Sequence, residues 1–147
     1  MSQRINTDFL FADKRLEESE ISINKAKGLF SLVPWKERLD EMPEEPECNP
    51  TISFFKNRHN HYIWASVVEE NTFYLGAKFS EKEEYISAGG ASFEESNEIL
   101  NLYLDEKYDD MFRLMQQIER KNNKELFFPI LKIFPKFKTF FKKLYGS

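Results

Sequence analysis

Two histidines and one cysteine are the rarest reactive side chains in this 147-residue chain, and they set the first chemical question. His59 and His61 form an H-x-H in Asn57-Arg58-His59-Asn60-His61, a stretch that reads as a turn running into a strand. Two imidazoles can begin a metal site, but a tight site needs three or four ligands at workable geometry. Cys48 and Glu70 are the conceivable additions, and neither has a diagnostic spacing. The expectation is therefore a pair of exposed turn histidines with no metal, open at most to use as a pH-sensitive contact. Cys48 as a nucleophile would need a base and an orienting group. It lies in Met42–Pro50, a loop with three prolines and three glutamates, whose negative charge raises a thiol pKa and suppresses the thiolate. There is no P-loop, no GxSxG and no HExxH. Gly89-Gly90 ahead of a helix has the composition of an anion cradle, but Glu94 and Glu95 already occupy that end of the helix dipole. The sequence reads as non-enzymatic and calls for no cofactor.

Charge carries more information. Residues 124–147 hold six lysines against one glutamate, a balance of +5; the whole chain is −4, so residues 1–123 carry −9. Glu94, Glu95, Glu98, Asp105, Glu106, Asp109 and Asp110 crowd together with only Lys107 among them. Such a surface speeds and selects the approach of a basic partner. In the basic segment, Leu126, Phe127, Ile130, Leu131, Phe134, Phe137, Phe141 and Leu144 share one side of a 3.6-residue period. Lys132, Lys136, Lys142 and Lys143 fall opposite, giving an amphipathic helix broken near Pro129 and kinked at Pro135. It suits the domain's own core, a membrane surface or a partner groove. Nucleic acid is disfavoured, because the acidic body repels phosphates.

The elements that must position these groups follow from periodicity. Asp13–Phe30 reads as a first helix, with Leu16, Ile23, Ala26 and Phe30 roughly on one face. Pro34 opens a short second helix through Trp35, Arg38 and Leu39. Four strands follow at Thr51–Lys56, His61–Val68, Thr72–Phe79 and Glu84–Ala88, joined by brief polar turns, the last at Ser80–Glu83. Gly89-Gly90 ends the sheet. Alternation puts Tyr62 and Trp64 on one face, away from Ile63. Ser92 and Glu95 have capping-box spacing and open a helix over Phe93–Asp105 that buries Ile99, Leu100, Tyr103 and Leu104. A further helix over Tyr108–Lys121 buries Met111, Phe112, Met115 and Ile118, and Lys121-Asn122-Asn123 turns the chain into the tail.

The fold class expected is α+β: an antiparallel meander of about four strands packed against N-terminal and C-terminal helices. One domain spans 1–147, with 1–45 helical, 51–89 the sheet, and 92–147 helices ending in the basic segment. A lone cysteine and the absence of a signal peptide or an 18-residue apolar run point to the cytoplasm. The function expected is protein binding: a small acidic immunity- or antitoxin-like protein that neutralises a basic partner such as a toxin nuclease. The seven carboxylates, with Tyr62 and Trp64, would form the contact. An adaptor acting through residues 124–147 on a membrane surface is the second reading, and exposed aromatics leave room for a homodimer.

Overall fold

The computed structural model describes residues 3–44, 48–79 and 85–122. It is α+β, as expected, but with six antiparallel strands rather than about four. The order along the chain is β1 (Arg4–Leu10), β2 (Leu16–Ser22), α1 (Ile23–Leu32), α2 (Trp35–Asp40), β3 (Thr51–Asn57), β4 (His61–Glu69), β5 (Thr72–Phe79), β6 (Tyr85–Ala91), α3 (Phe93–Leu104) and α4 (Tyr108–Asn122). Across the sheet the order is β2-β1-β3-β4-β5-β6. The turn read at Ser80–Glu83 and the basic segment Lys124–Ser147 lie outside the described residues. Among the described residues no helix is long and apolar enough to cross a membrane.

The N-terminal part corrects the helical reading of residues 1–45. Leu16–Ser22 is a strand, and α1 begins only at Ile23, capped by the Ser22 hydroxyl, which accepts from the Lys25 backbone N–H. Glutamate and leucine favour a helix by only a few tenths of a kcal/mol per residue. Pairing decides instead. β1 sits between β2 and β3, with Thr7 opposite both Ser19 and Phe54. Without β2, one side of a strand carrying buried Ile5, Thr7 and Asp8 would lose its backbone partners. Each unsatisfied buried group costs about 1–3 kcal/mol, which outweighs the local preference. β2 then forms an edge whose Glu17, Glu18 and Glu20 are exposed, a common guard against edge-to-edge pairing.

From β3 onward the strands fall close to their expected places, and three bulges adjust them. Lys56 is the extra residue between the Phe55–Tyr62 and Asn57–His61 pairs. A second irregularity lies between Val67 and Glu69. Gly90 is the third, skipped between Ala91 and Gly89 opposite Phe73 and Tyr74, at φ +77°. The sheet therefore runs through Gly89-Gly90 to Ala91 rather than ending there. At this edge α4 closes β6: the Glu119 carboxylate accepts from the Gly89 N–H at 2.9 Å, and the Asn122 amide donates to the Gly89 carbonyl. Asn122 is thus the last residue of α4, not part of a turn.

One face of the sheet is covered. Ile5, Ile52, Phe54, Ile63, Ala65, Val67, Phe73, Leu75, Ala77 and Ala88 meet Ala26 and Phe30 of α1, Trp35, and Ile99, Leu100, Tyr103 and Leu104 of α3 in one apolar core. Met111, Met115 and Ile118 of α4 join it, while Phe112 stays half-buried. Pro34 is the residue before α2 rather than its first turn, and the Ser92–Glu95 capping box forms as read.

Glycine substitutions should separate these roles. At Gly90 a β-carbon would add a positive-φ penalty and come within 2.6 Å of the Asn122 side chain. Gly90→Ala should lower unfolding free energy by about 1–2 kcal/mol. Gly28, exposed in α1 with nothing within 4 Å, should accept alanine with a gain of about 0.5–1 kcal/mol. Urea denaturation of the two variants checks both signs.

Candidate partner-binding surfaces

The seven clustered carboxylates divide by role. Glu95 belongs to the α3 cap, its carboxylate accepting from the Ser92 backbone N–H at 3.0 Å. Asp105 forms an ion pair with Lys27, and Glu106 accepts from Lys56 Nζ at 2.6 Å. That bond lowers the Glu106 pKa and raises that of Lys56. Asp110 is 3.9 Å from Arg113. Glu94, Glu98 and Asp109 are exposed, and no ion pair ties them to another described residue. Glu94, Glu98 and Asp105 follow one another at i, i+4 and i+11, a single stripe on the free side of α3. Asp109 and Asp110 continue it into the first turn of α4.

Tyr62 and Trp64 do share a face, away from buried Ile63, as alternation indicates. That face is the opposite one from α3. A partner seated flat on the acidic stripe cannot also touch the two rings, so the structure does not bring the nine expected contact residues together. Phe55, Tyr74 and Tyr85 stand beside Tyr62 and Trp64, and the Trp64 ring stacks on Tyr74 at 5.6 Å and 26°. A β-carbon at Gly76 would overlap the Trp64 indole and the Tyr85 hydroxyl, so the indole lies down on the glycine. At the far side of this face Arg58 reaches back from the β3–β4 turn. It bonds the buried Asp8 at 2.7 Å, pairs with Glu18, and covers the Phe55 ring at 4.1 Å.

The two histidines separate. His59 is an exposed turn residue, but His61 is the first residue of β4, half-buried. His61 falls on the same side of β4 as buried Ile63 and Ala65, facing α3, where its Nδ1 lies 2.8 Å from the Tyr103 hydroxyl. Tyr108 meets the imidazole edge-on at 5.4 Å. With Nδ1 unprotonated, the neutral imidazole can accept the phenol proton of Tyr103. Burial, with Lys56 nearby, holds the His61 pKa below its ordinary value, and burial raises that of Tyr103. This cluster clamps the sheet to α3. Alternation along His61–Val68 puts His61 on the face of Ile63, a signal passed over when His61 was grouped with the turn; the Tyr103 partner, 42 residues away, has no local mark.

Cys48 is half-buried, and its thiol donates to the Phe11 carbonyl at 2.9 Å. Among the described residues no group of three or more His, Cys, Asp or Glu could hold a metal ion. The Gly89 N–H is committed to Glu119 and so cannot serve an anion. A groove of about 370 Å³, unforeseen in the sequence, opens between β1–β2 and α1–α2. Phe9, Phe11, Leu29, Leu32 and Arg38 line it, and Leu32 is 78% exposed. The strand at Leu16–Ser22 creates this groove, so it was hidden while that stretch read as helix. No known protein family, curated protein or solved structure matches this chain.

The His61 environment gives a pH prediction. Because the folded pKa is lowered, the unfolded chain binds the proton first as pH falls, and stability is lost on the way down from the unfolded pKa. Unfolding free energy should therefore decline between about pH 7 and pH 5. His61→Phe should flatten that slope, measured by urea titration at stepped pH.

Proposed function

We propose that this chain is a non-enzymatic binding protein that neutralises a basic macromolecule, in the manner of small acidic immunity proteins and antitoxins that hold a cationic nuclease. The observation that supports the reading is the carboxylate stripe running from Glu94 and Glu98 to Asp109 and Asp110. These side chains project from helices whose other faces are locked into the core by Ile99, Leu100, Met111 and Met115. Glu94 and Glu98 stand four residues apart, a like-charge pair that costs an isolated helix about 0.2–0.5 kcal/mol. A rigid helix presents such charges without the ordering cost that a loop would incur on binding. The Lys27–Asp105 and Lys56–Glu106 pairs narrow the contact, since those carboxylates already have partners. Tyr62 and Trp64 fall outside it.

The unpaired carboxylates give the cleaner test. Glu94→Lys, Glu98→Lys and Asp109→Lys together should change stability by no more than about 1 kcal/mol. The same variant should slow association with a basic protein captured by the wild-type chain about ten-fold or more at low salt, with the difference shrinking at high salt. Stopped-flow association at two ionic strengths measures this. An unchanged on-rate at low salt sinks the proposal.

A further inference from the structure

Among the described residues the sheet ends at β2, and Leu16, Glu17, Glu18, Ser19 and Glu20 are all exposed. Two bonds fix which backbone groups of this edge face outward. The Ile23 N–H donates to the Gln3 carbonyl at 2.9 Å, and the Phe11 N–H donates to the Arg15 carbonyl at 2.8 Å. Bonded pairs recur at every second residue of an antiparallel ladder, so Ile5–Ile21, Thr7–Ser19 and Phe9–Glu17 are the bonded pairs between β1 and β2. The N–H and C=O groups of Leu16, Glu18 and Glu20 therefore point away from β1. Arg4 donates to the Glu20 carbonyl at 2.8 Å and closes that end of the edge. No described residue takes the N–H and C=O of Leu16 and Glu18, or the N–H of Glu20.

The helix side of this edge has room for side chains. Ser19 and Glu17 stand beside Thr7 and Phe9 on that side, yet the helices cover β2 only at Ile21, which is 8% exposed. The groove of about 370 Å³ lies over this step, with Leu29 and Leu32 in its wall. A strand added beside β2 would turn every second side chain toward the groove and Leu32. Charge then selects the strand. Glu18 and Glu20 are held by Arg58 and Arg4, but no ion pair ties Glu17 to another described residue. A second copy of β2 would set glutamates against these glutamates, and like charges facing each other destabilise a strand pair. A basic segment meets the opposite sign, both in Glu17 and in a body that carries −9 over residues 1–123. The edge glutamates thus bar a like strand and admit a basic one.

We propose that β2 is a docking edge for an extended segment of a partner chain in which apolar and basic residues alternate, paired along Leu16–Glu20 as a further strand of the sheet. The edge shares no residue with the acidic stripe of α3 and α4, so the two readings can fail separately. The probe is a blocked peptide of about six alternating valines and lysines, added at millimolar concentration to the full chain. Amide hydrogen exchange followed by NMR reads the result. The peptide should slow exchange at Leu16, Glu18 and Glu20 several-fold and leave Glu17 and Ser19, already bonded to β1, nearly unchanged. The same peptide methylated on every backbone nitrogen keeps its charge but cannot donate to the edge, and should give no protection. Glu18→Pro removes an N–H that faces away from β1, a position where an edge strand tolerates proline. It should abolish the protection while exchange at Ser19 stays slow. Should that variant lose its β1–β2 pairing, the methylated peptide on the wild-type chain decides. Glu94→Lys/Glu98→Lys/Asp109→Lys should keep the protection in full. No protection of the Leu16, Glu18 and Glu20 amides overturns the proposal. Equal protection by both peptides, or protection lost with the α3–α4 carboxylates, also overturns it, since charge alone would then account for the binding.

Discussion

The fold depends on one aromatic junction. Trp35 donates its indole N–H to the Phe30 carbonyl at 3.1 Å, which bends the chain from α1 into α2 and brings the two rings to 5.3 Å. Phe73 of β5 lies 5.1 Å from Phe30 and 5.2 Å from Trp35, and Phe93 of α3 stacks on Phe30 at 5.0 Å. Four rings thus join the N-terminal helices, the sheet and α3. Each large apolar side chain fully buried here contributes about 1.5–3 kcal/mol. An exposed ion pair contributes about 0–1 kcal/mol. Rings, not charges, organise this molecule, and its many carboxylates are left available for other uses.

The two sheet edges are handled in opposite ways. β6 has its Gly89 N–H and carbonyl taken by Glu119 and Asn122, so α4 supplies what a seventh strand would. β2 is guarded by its own glutamates, two of them tied down by Arg4 and Arg58. Arg58 also matters to the interior of the sheet. Asp8 is 6% exposed, and its Arg58 partner offsets the loss of water around a buried carboxylate. The β3–β4 turn thereby holds the N-terminal hairpin to the meander by charge as well as by strand pairing.

The sequence announced the features that repeat and hid those that depend on distant partners. Alternation at Ile52, Phe54, Ile63, Ala65 and Val67 marked two strands because both bury one face. The Ser92-x-x-Glu95 box marked a helix start because the cap is made within four residues. β1 was illegible because its inward side includes Thr7, and its buried Asp8 is explained only by Arg58, fifty residues away. Leu16–Ser22 carries helix-forming glutamates and becomes a strand only through β1. The carboxylates of the candidate surface were plain in the sequence. Their division into paired and unpaired groups was not, since Lys56 reaches Glu106 across a span of fifty residues.

This division bears on how an acidic surface could steer a partner. Lys27 and Lys56 neutralise the carboxylates at the α3–α4 turn, so the field strengthens along α3 toward Glu98 and Glu94. At physiological salt a charge is felt over about 8 Å. A basic partner approaching the α3–α4 turn therefore meets a weaker field than one approaching Glu94 and Glu98, and the steering acts over the last screening length before contact.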